Sequence, residues 1–148
     1  MDIKEIAERT VKHCGTRNPF VAAESLGIIV SFESLGSIRG YYSKARKQKF
    51  IHINSDLPEC LQKFVCAHEL GHSILHPDSN TPFLRENTLL SVDRLEIEAN
   101  QFAACLLLTD ADLNEYIEYG YTSEQISMCS GLPEPLVRYK FKTLESIN

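Results

Sequence analysis

His68-Glu69-Leu70-Gly71-His72 lies inside a longer run, Asp56 to His76, that reads as one amphipathic helix. Leu61, Phe64, Val65 and Leu75 supply its apolar positions at helical spacing, and Pro77 stops it. Asp56 as N-cap, Pro58 in the first turn and Glu59 three residues after the cap predict where it starts. Residues four apart on a helix share a face, about 6 Å apart along the axis. The imidazoles of His68 and His72 can therefore reach one metal ion of the zinc type. Glu69 projects about 100° round the helix from His68, beside such an ion and not on it. From there its carboxylate can take the proton of an attacking water as general base. Gly71 costs about 1 kcal/mol against Ala in a helix interior, so its presence predicts a close neighbour.

A catalytic zinc site takes three protein ligands and leaves one position open. His76 falls at i+8 from His68, about 12 Å along the axis, and three side chains in that line cannot converge on one tetrahedral ion. We expect His76 to cap the last turn instead, bonding exposed carbonyls. The next helical stretch, about Val92 to Leu108, offers Glu96 and Glu98. Glu96 shares a face with Asn100, Ala103 and Leu107, so it suits a ligand with Asn100 holding a zinc histidine from behind. Spacing alone leaves Glu98 open as the alternative metal ligand.

Outward from these two helices the pattern is mixed. Residues 2–13 read as a helix capped by Asp2 and ended by Gly15, and Asn18-Pro19 opens a short one stopped by Gly27. Ile28–Phe32, Arg39–Ser43 and Phe50–Asn54 read as strands, the last two joined by a basic hairpin loop at 44–49. Residues 77–90 form a polar loop. Thr109 caps a short acidic helix ending at Gly120, and helices near 123–130 and 134–145 flank Gly131-Leu132-Pro133. The expectation is one α+β domain over residues 1–148. A small antiparallel sheet of about three strands packs on a helical core, and residues 110–148 form a helical tail resembling a helix-turn-helix.

Composition bounds the function. With 148 residues, 43% hydrophobic and 24% charged, the chain can bury a core without a metal staple, so a metal site points to catalysis. A net charge of −5 argues against a broad nucleic-acid-binding surface. Five scattered cysteines without a C-x-x-C pair, no signal-peptide pattern and no apolar run beyond seven residues predict a cytoplasmic protein with reduced thiols and no membrane contact.

His68-Glu69-Leu70-Gly71-His72-Ser73-Ile74-Leu75-His76, followed by Glu96-x-Glu98-Ala99-Asn100-x-Phe102-Ala103-Ala104-x-Leu106-Leu107, resembles the ImmA/IrrE family of zinc metallopeptidases. The likeness extends back through Phe50-Ile51-His52-Ile53-Asn54 to Phe64 and more loosely to both ends. In zinc peptidases with a glutamate third ligand the second helix reads E-x-x-x-D/N. The resemblance thus implies Glu96 on the metal and Asn100 supporting a zinc histidine, in a zincin-like core. Thr109 stands near where the family usually has Pro.

The family resemblance further implies one Zn²⁺ per chain and a site-specific endopeptidase. Its substrate would be a helix-turn-helix transcriptional repressor, cut to relieve repression in a stress response, prophage or mobile element. Tyr41, Tyr42, His52 and Arg85 are the candidates for steadying the oxyanion or the substrate. An extended substrate could add to a sheet edge, and Lys44, Arg46, Lys47 and Lys49 could steer an acidic partner. Two other readings stand beside the enzyme. One is a catalytically weak zinc-binding regulatory module acting by protein contacts; the other is a DNA-binding regulator using the C-terminal helices. The intact Glu69 favours the enzyme. Pro133-Glu134-Pro135 at the start of the second tail helix, where a DNA reader would carry basic and amide side chains, disfavours the regulator.

Overall fold

The computed structural model describes residues 2–79 and 93–147. Their elements are α1 (Ile3–Cys14), α2 (Pro19–Ser25), β1 (Ile29–Glu33), β2 (Gly40–Ala45), β3 (Gln48–Asn54), α3 (Glu59–Leu75), α4 (Arg94–Leu107), α5 (Asp110–Glu118), α6 (Ser123–Ser130) and α7 (Glu134–Ile147). The α+β expectation holds. The loop read at 77–90 falls mostly outside the described residues, as does Arg85.

Local signals set most boundaries. The Asp2 side chain accepts from the Glu5 N–H, and Gly15, at φ 72°, ends α1 in the left-handed region. Asn18 caps α2 ahead of Pro19. Thr122 and Gln125 form a reciprocal capping box at α6.

Three expectations need correction, two in the sheet and one at the start of α3. The sheet is mixed: β3 lies between the others, antiparallel to β2 and parallel to β1. The strands still run up, down, up in chain order, but the 34–39 connection carries β2 past the place where β3 inserts. That connection is pinned, since Asn54 Nδ2 donates to the carbonyls of Gly36 and Ile38, both at 3.0 Å. The hairpin loop is also shorter than 44–49. The ladder continues through Lys44↔Lys49 and Ala45↔Gln48, leaving only Arg46 and Lys47 to turn, at φ 51° and 73°.

Asp56 does not cap α3. Its N–H donates to Asn54 Oδ1 and its carboxylate accepts from Ser34 Oγ, so tertiary partners claim it. Pro58 occupies the N-cap position without a side-chain bond.

α3 is the hub. Every residue from Phe64 to Ser73 is buried, with the sheet on one side and α4 on the other. Ile51 and Ile53 of β3 and Val65 of α3 belong to one apolar cluster with Phe102 and Leu106 of α4. Gly71 confirms its close neighbour: a Cβ there would stand 3.1 Å from Phe102 Cδ1 and 3.3 Å from the Ala99 backbone. Gly40 is tighter still, since a Cβ would meet the His52 carbonyl at 2.6 Å. The tail is docked through Lys140, 2% exposed, whose ammonium bonds Asp110, itself paired with Lys4. This joins α7, α5 and α1.

Candidate active site

The close approach of α3 and α4 brings the two sequence motifs together. His68 Nδ1 lies 2.8 Å from Asn100 Oδ1. His72 Nε2 lies 2.6 Å from Glu96 Oε1, and His68 Nε2 lies 3.3 Å from Glu96 Oε2. The two imidazoles meet edge to face at 4.8 Å between centroids. His68, Glu69 and His72 also offer ligand atoms that lie within 4.8 Å of one another. All of these side chains are buried. Asp93 caps α4 with bonds to the N–H groups of Leu95 and Glu96, which fixes the turn that presents Glu96.

Among the described residues, four buried atoms of this cluster have no hydrogen-bond partner: His68 Nε2, Glu96 Oε2 and both oxygens of Glu69. Buried polar atoms without partners are costly, and they gather here within one small volume. The His68 Nε2–Glu96 Oε2 pair is within ion-pair distance yet makes no hydrogen bond. Two donors bound at about 2.0–2.1 Å to a tetrahedral ion stand about 3.3 Å apart. The donor set and this spacing fit a divalent cation.

The two carboxyl groups are driven in opposite directions. Burial pushes Glu69 up to about 8, opposed by the charge of His68 and helped by that of Glu96. Burial acts upward on Glu96 too, but the close His68 ring, the His72 hydrogen bond and the charge of both overcome it and hold that group at about 2. Burial lowers His72. On His68 burial is outweighed by the facing Glu96 carboxylate, the nearby Glu69 charge and the Asn100 bond, so it is raised. One carboxyl is thus a fixed anion and the other can hold or release a proton near neutrality.

His76 does not cap carbonyls as expected. It has left helical dihedrals, at φ −135° and ψ 53°, and its ring lies between His72 and Glu98. The distances are 3.1 Å from Nδ1 to His72 Nδ1 and 2.8 Å from Nε2 to Glu98 Oε1. Glu98 is therefore placed against His76, while Glu96 faces the Nε2 atoms of His68 and His72. The sequence reading missed this pair; the His72–His76 spacing of four, which puts neighbours on one face, was the available signal.

The other candidates lie elsewhere. Strand alternation puts His52 and Tyr41 on the sheet face opposite the buried Ile51 and Ile53. There the two rings stack at 4.1 Å, and His52 bonds Ser43 and Glu33. The Tyr42 hydroxyl donates to the Pro77 carbonyl at 2.7 Å, just past the end of α3.

Comparison with known proteins agrees with this geometry. Residues 23–142 match the peptidase family described as the IrrE N-terminal-like domain. The chain is 40% identical over 139 residues to an uncharacterized immunity region protein 2 of Bacillus phage phi105, covering 93% of this chain and 88% of the relative. It is 35% identical over 150 residues to the metallopeptidase ImmA of Bacillus subtilis strain 168, covering 99% and 88%. No helix among the described residues is long and apolar enough to cross a membrane. With its paired histidines and carboxylates gathered between α3 and α4, the chain belongs to the IrrE N-terminal-like family and is a metallopeptidase.

Proposed function

We propose that this chain is a zinc-dependent endopeptidase, with His68, His72 and Glu96 holding one Zn²⁺ and Glu69 serving as general base. The observation that carries this reading is the set of buried, unpartnered atoms on α3 and α4: His68 Nε2, Glu96 Oε2 and the two Glu69 oxygens. Glu96 is the third ligand because its two oxygens face both histidine Nε2 atoms, at 2.6 and 3.3 Å. Glu98 is engaged by His76 instead.

Zinc, when bound, supplies Lewis acidity that polarises the scissile carbonyl and acidifies water. Glu69 takes the proton of the attacking water and returns it to the departing amine. Asn100 accepts the Nδ1 proton of His68, which fixes the tautomer that leaves Nε2 free for the metal.

The substrate in this reading is a helix-turn-helix transcriptional repressor in the cytoplasm, cut to relieve repression in a stress response or on a prophage or mobile element. Likeness to a protein of a phage immunity region supports a role of that kind. The outer edges of β1 and β2, which flank the central β3, offer places for an extended substrate segment.

The test is cleavage of helix-turn-helix repressors encoded near this gene, followed by mass spectrometry of the products. Zinc-loaded protein should cut one of them at one bond. Glu69→Gln should bind zinc as before and lose cleavage by about 10²–10⁴-fold, the usual worth of a general base. Full cleavage by a zinc-loaded Glu69→Gln variant would remove Glu69 from that role.

A further inference from the structure

We infer that His76 and Glu98 are positioning residues for the metal centre, which fix the tautomer and the ring orientation of His72. The inference rests on the reading above, in which His72 gives its Nε2 lone pair to the metal. An imidazole bound that way keeps its proton on Nδ1, and that proton needs an acceptor. For His68 the acceptor is Asn100. For His72 the neighbour at Nδ1 is neither a carboxylate nor a carbonyl but His76 Nδ1, 3.1 Å away.

That pairing leaves one arrangement of protons. His76 must accept at Nδ1, so its own proton sits on Nε2, the other ring nitrogen. His76 Nε2 lies 2.8 Å from Glu98 Oε1, an acceptor in the right place for that proton. The opposite tautomer of His76 would set two N–H groups head to head and leave Glu98 facing a bare nitrogen. Glu98 therefore selects the His76 tautomer, and His76 selects that of His72.

The groups are held tightly enough for this to matter. The side chains of His72, His76 and Glu98 are 0%, 5% and 14% exposed. The second Glu98 oxygen lies 3.5 Å from Arg94 Nε, whose own side chain is 84% exposed. A line of contacts thus runs from the centre to the surface through His72, His76, Glu98 and Arg94. The exit of His76 from helical geometry turns its ring into this line. The two zinc histidines are then backed differently, His68 by a neutral amide and His72 by an imidazole that leans on a carboxylate. The second backing makes His72 the more strongly donating ligand.

Metal affinity tests this without reference to peptide cleavage. Full-length protein is titrated with Zn²⁺ against a chromophoric chelator, and the Co²⁺-loaded form is read by its visible absorption. His76→Leu should weaken zinc binding about 10–100-fold, the usual effect of losing a ligand's hydrogen-bond partner, and should alter the Co²⁺ bands. His76→Gln should recover most of the affinity, since its amide oxygen can take the His72 proton while its NH₂ donates to Glu98. Glu98→Ala should weaken binding about 10-fold and add little to His76→Leu in the double variant, as expected for links of one chain.

His72→Ala distinguishes the two levels of failure. If it binds zinc like the wild type, His72 is not a ligand and the parent reading falls. If it loses zinc while His76→Leu and Glu98→Ala bind and absorb like the wild type, the positioning inference alone is wrong. Should His76→Leu fail to fold, Glu98→Ala and His76→Gln decide the matter: wild-type binding by Glu98→Ala overturns the inference, and so does a His76→Gln variant that folds but does not hold zinc.

Discussion

Glu69→Gln should make the metal-free protein more stable while making the enzyme inactive. The Glu69 carboxyl is fully buried, and neither oxygen has a hydrogen-bond partner among the described residues. Burial, partly offset by the His68 charge, raises it from an ordinary 4.5 to about 8. Between those values the folded chain keeps a proton that the unfolded chain has already released. Stability from this group is therefore greatest at low pH and falls as pH rises through the interval. At about 1.36 kcal/mol per pH unit, the loss between pH 5 and pH 8 is about 3 kcal/mol. Glutamine fills the same space with no proton to release. Urea denaturation of chelator-treated protein at both pH values measures the difference. Groups common to both proteins largely cancel when the two pH dependences are subtracted. The wild type should lose about 3 kcal/mol more than the variant between pH 5 and pH 8, and the variant should be the more stable one at pH 8. Parallel pH dependences would refute the argument, because Glu69 would then ionise as easily folded as unfolded.

The remaining predictions concern the turn, the helix contact and the metal. Arg46→Asn with Lys47→Gly should stabilise the protein by about 1–2 kcal/mol in thermal or urea unfolding, because both residues hold positive φ and the replacements tolerate it. Gly71→Ala should destabilise by about 1 kcal/mol despite a better helix former. Overpacking against the Ala99 backbone and Phe102 costs about 1–3 kcal/mol, more than the propensity gain of about 1 kcal/mol. Stripping metal-loaded protein with a chelator should lower the melting temperature yet leave far-ultraviolet circular dichroism folded, since the apolar cluster does not depend on the metal. A stabilisation of about 4 kcal/mol is expected at a thousandfold excess of zinc over its dissociation constant.

What could be read from the residues divides along physical lines. Asp2, Asn18-Pro19, Gly15, Thr109 and Gly131 act on their own neighbours, so the helix ends they mark are found where the chain places them. Asp56 has the same chemistry but a stronger competing claim, from Ser34 and Asn54, which no local pattern contains. Sheet order escaped for a similar reason: strands read as antiparallel become a mixed sheet once β3 inserts between β1 and β2. At the centre, the i to i+4 rule placed His68 and His72 on one face and Glu96 with Asn100 on another, and the structure brings those faces together. The same reasoning put His76 in line with both histidines and so excluded it as a third ligand of one ion. It could not see where the ring goes instead, because that depends on two backbone angles beyond the last helical turn.

The centre joins parts of the chain that are far apart in sequence. His68 meets Asn100 across 32 residues and His72 meets Glu96 across 24. Pairing at such separation comes after the local hairpin of β2 and β3, whose turn is two residues long. During synthesis, then, a chain that ends before α4 carries His68, Glu69 and His72 but not Glu96 and Asn100, which face the histidines. The cluster is complete only once α4 has docked against α3.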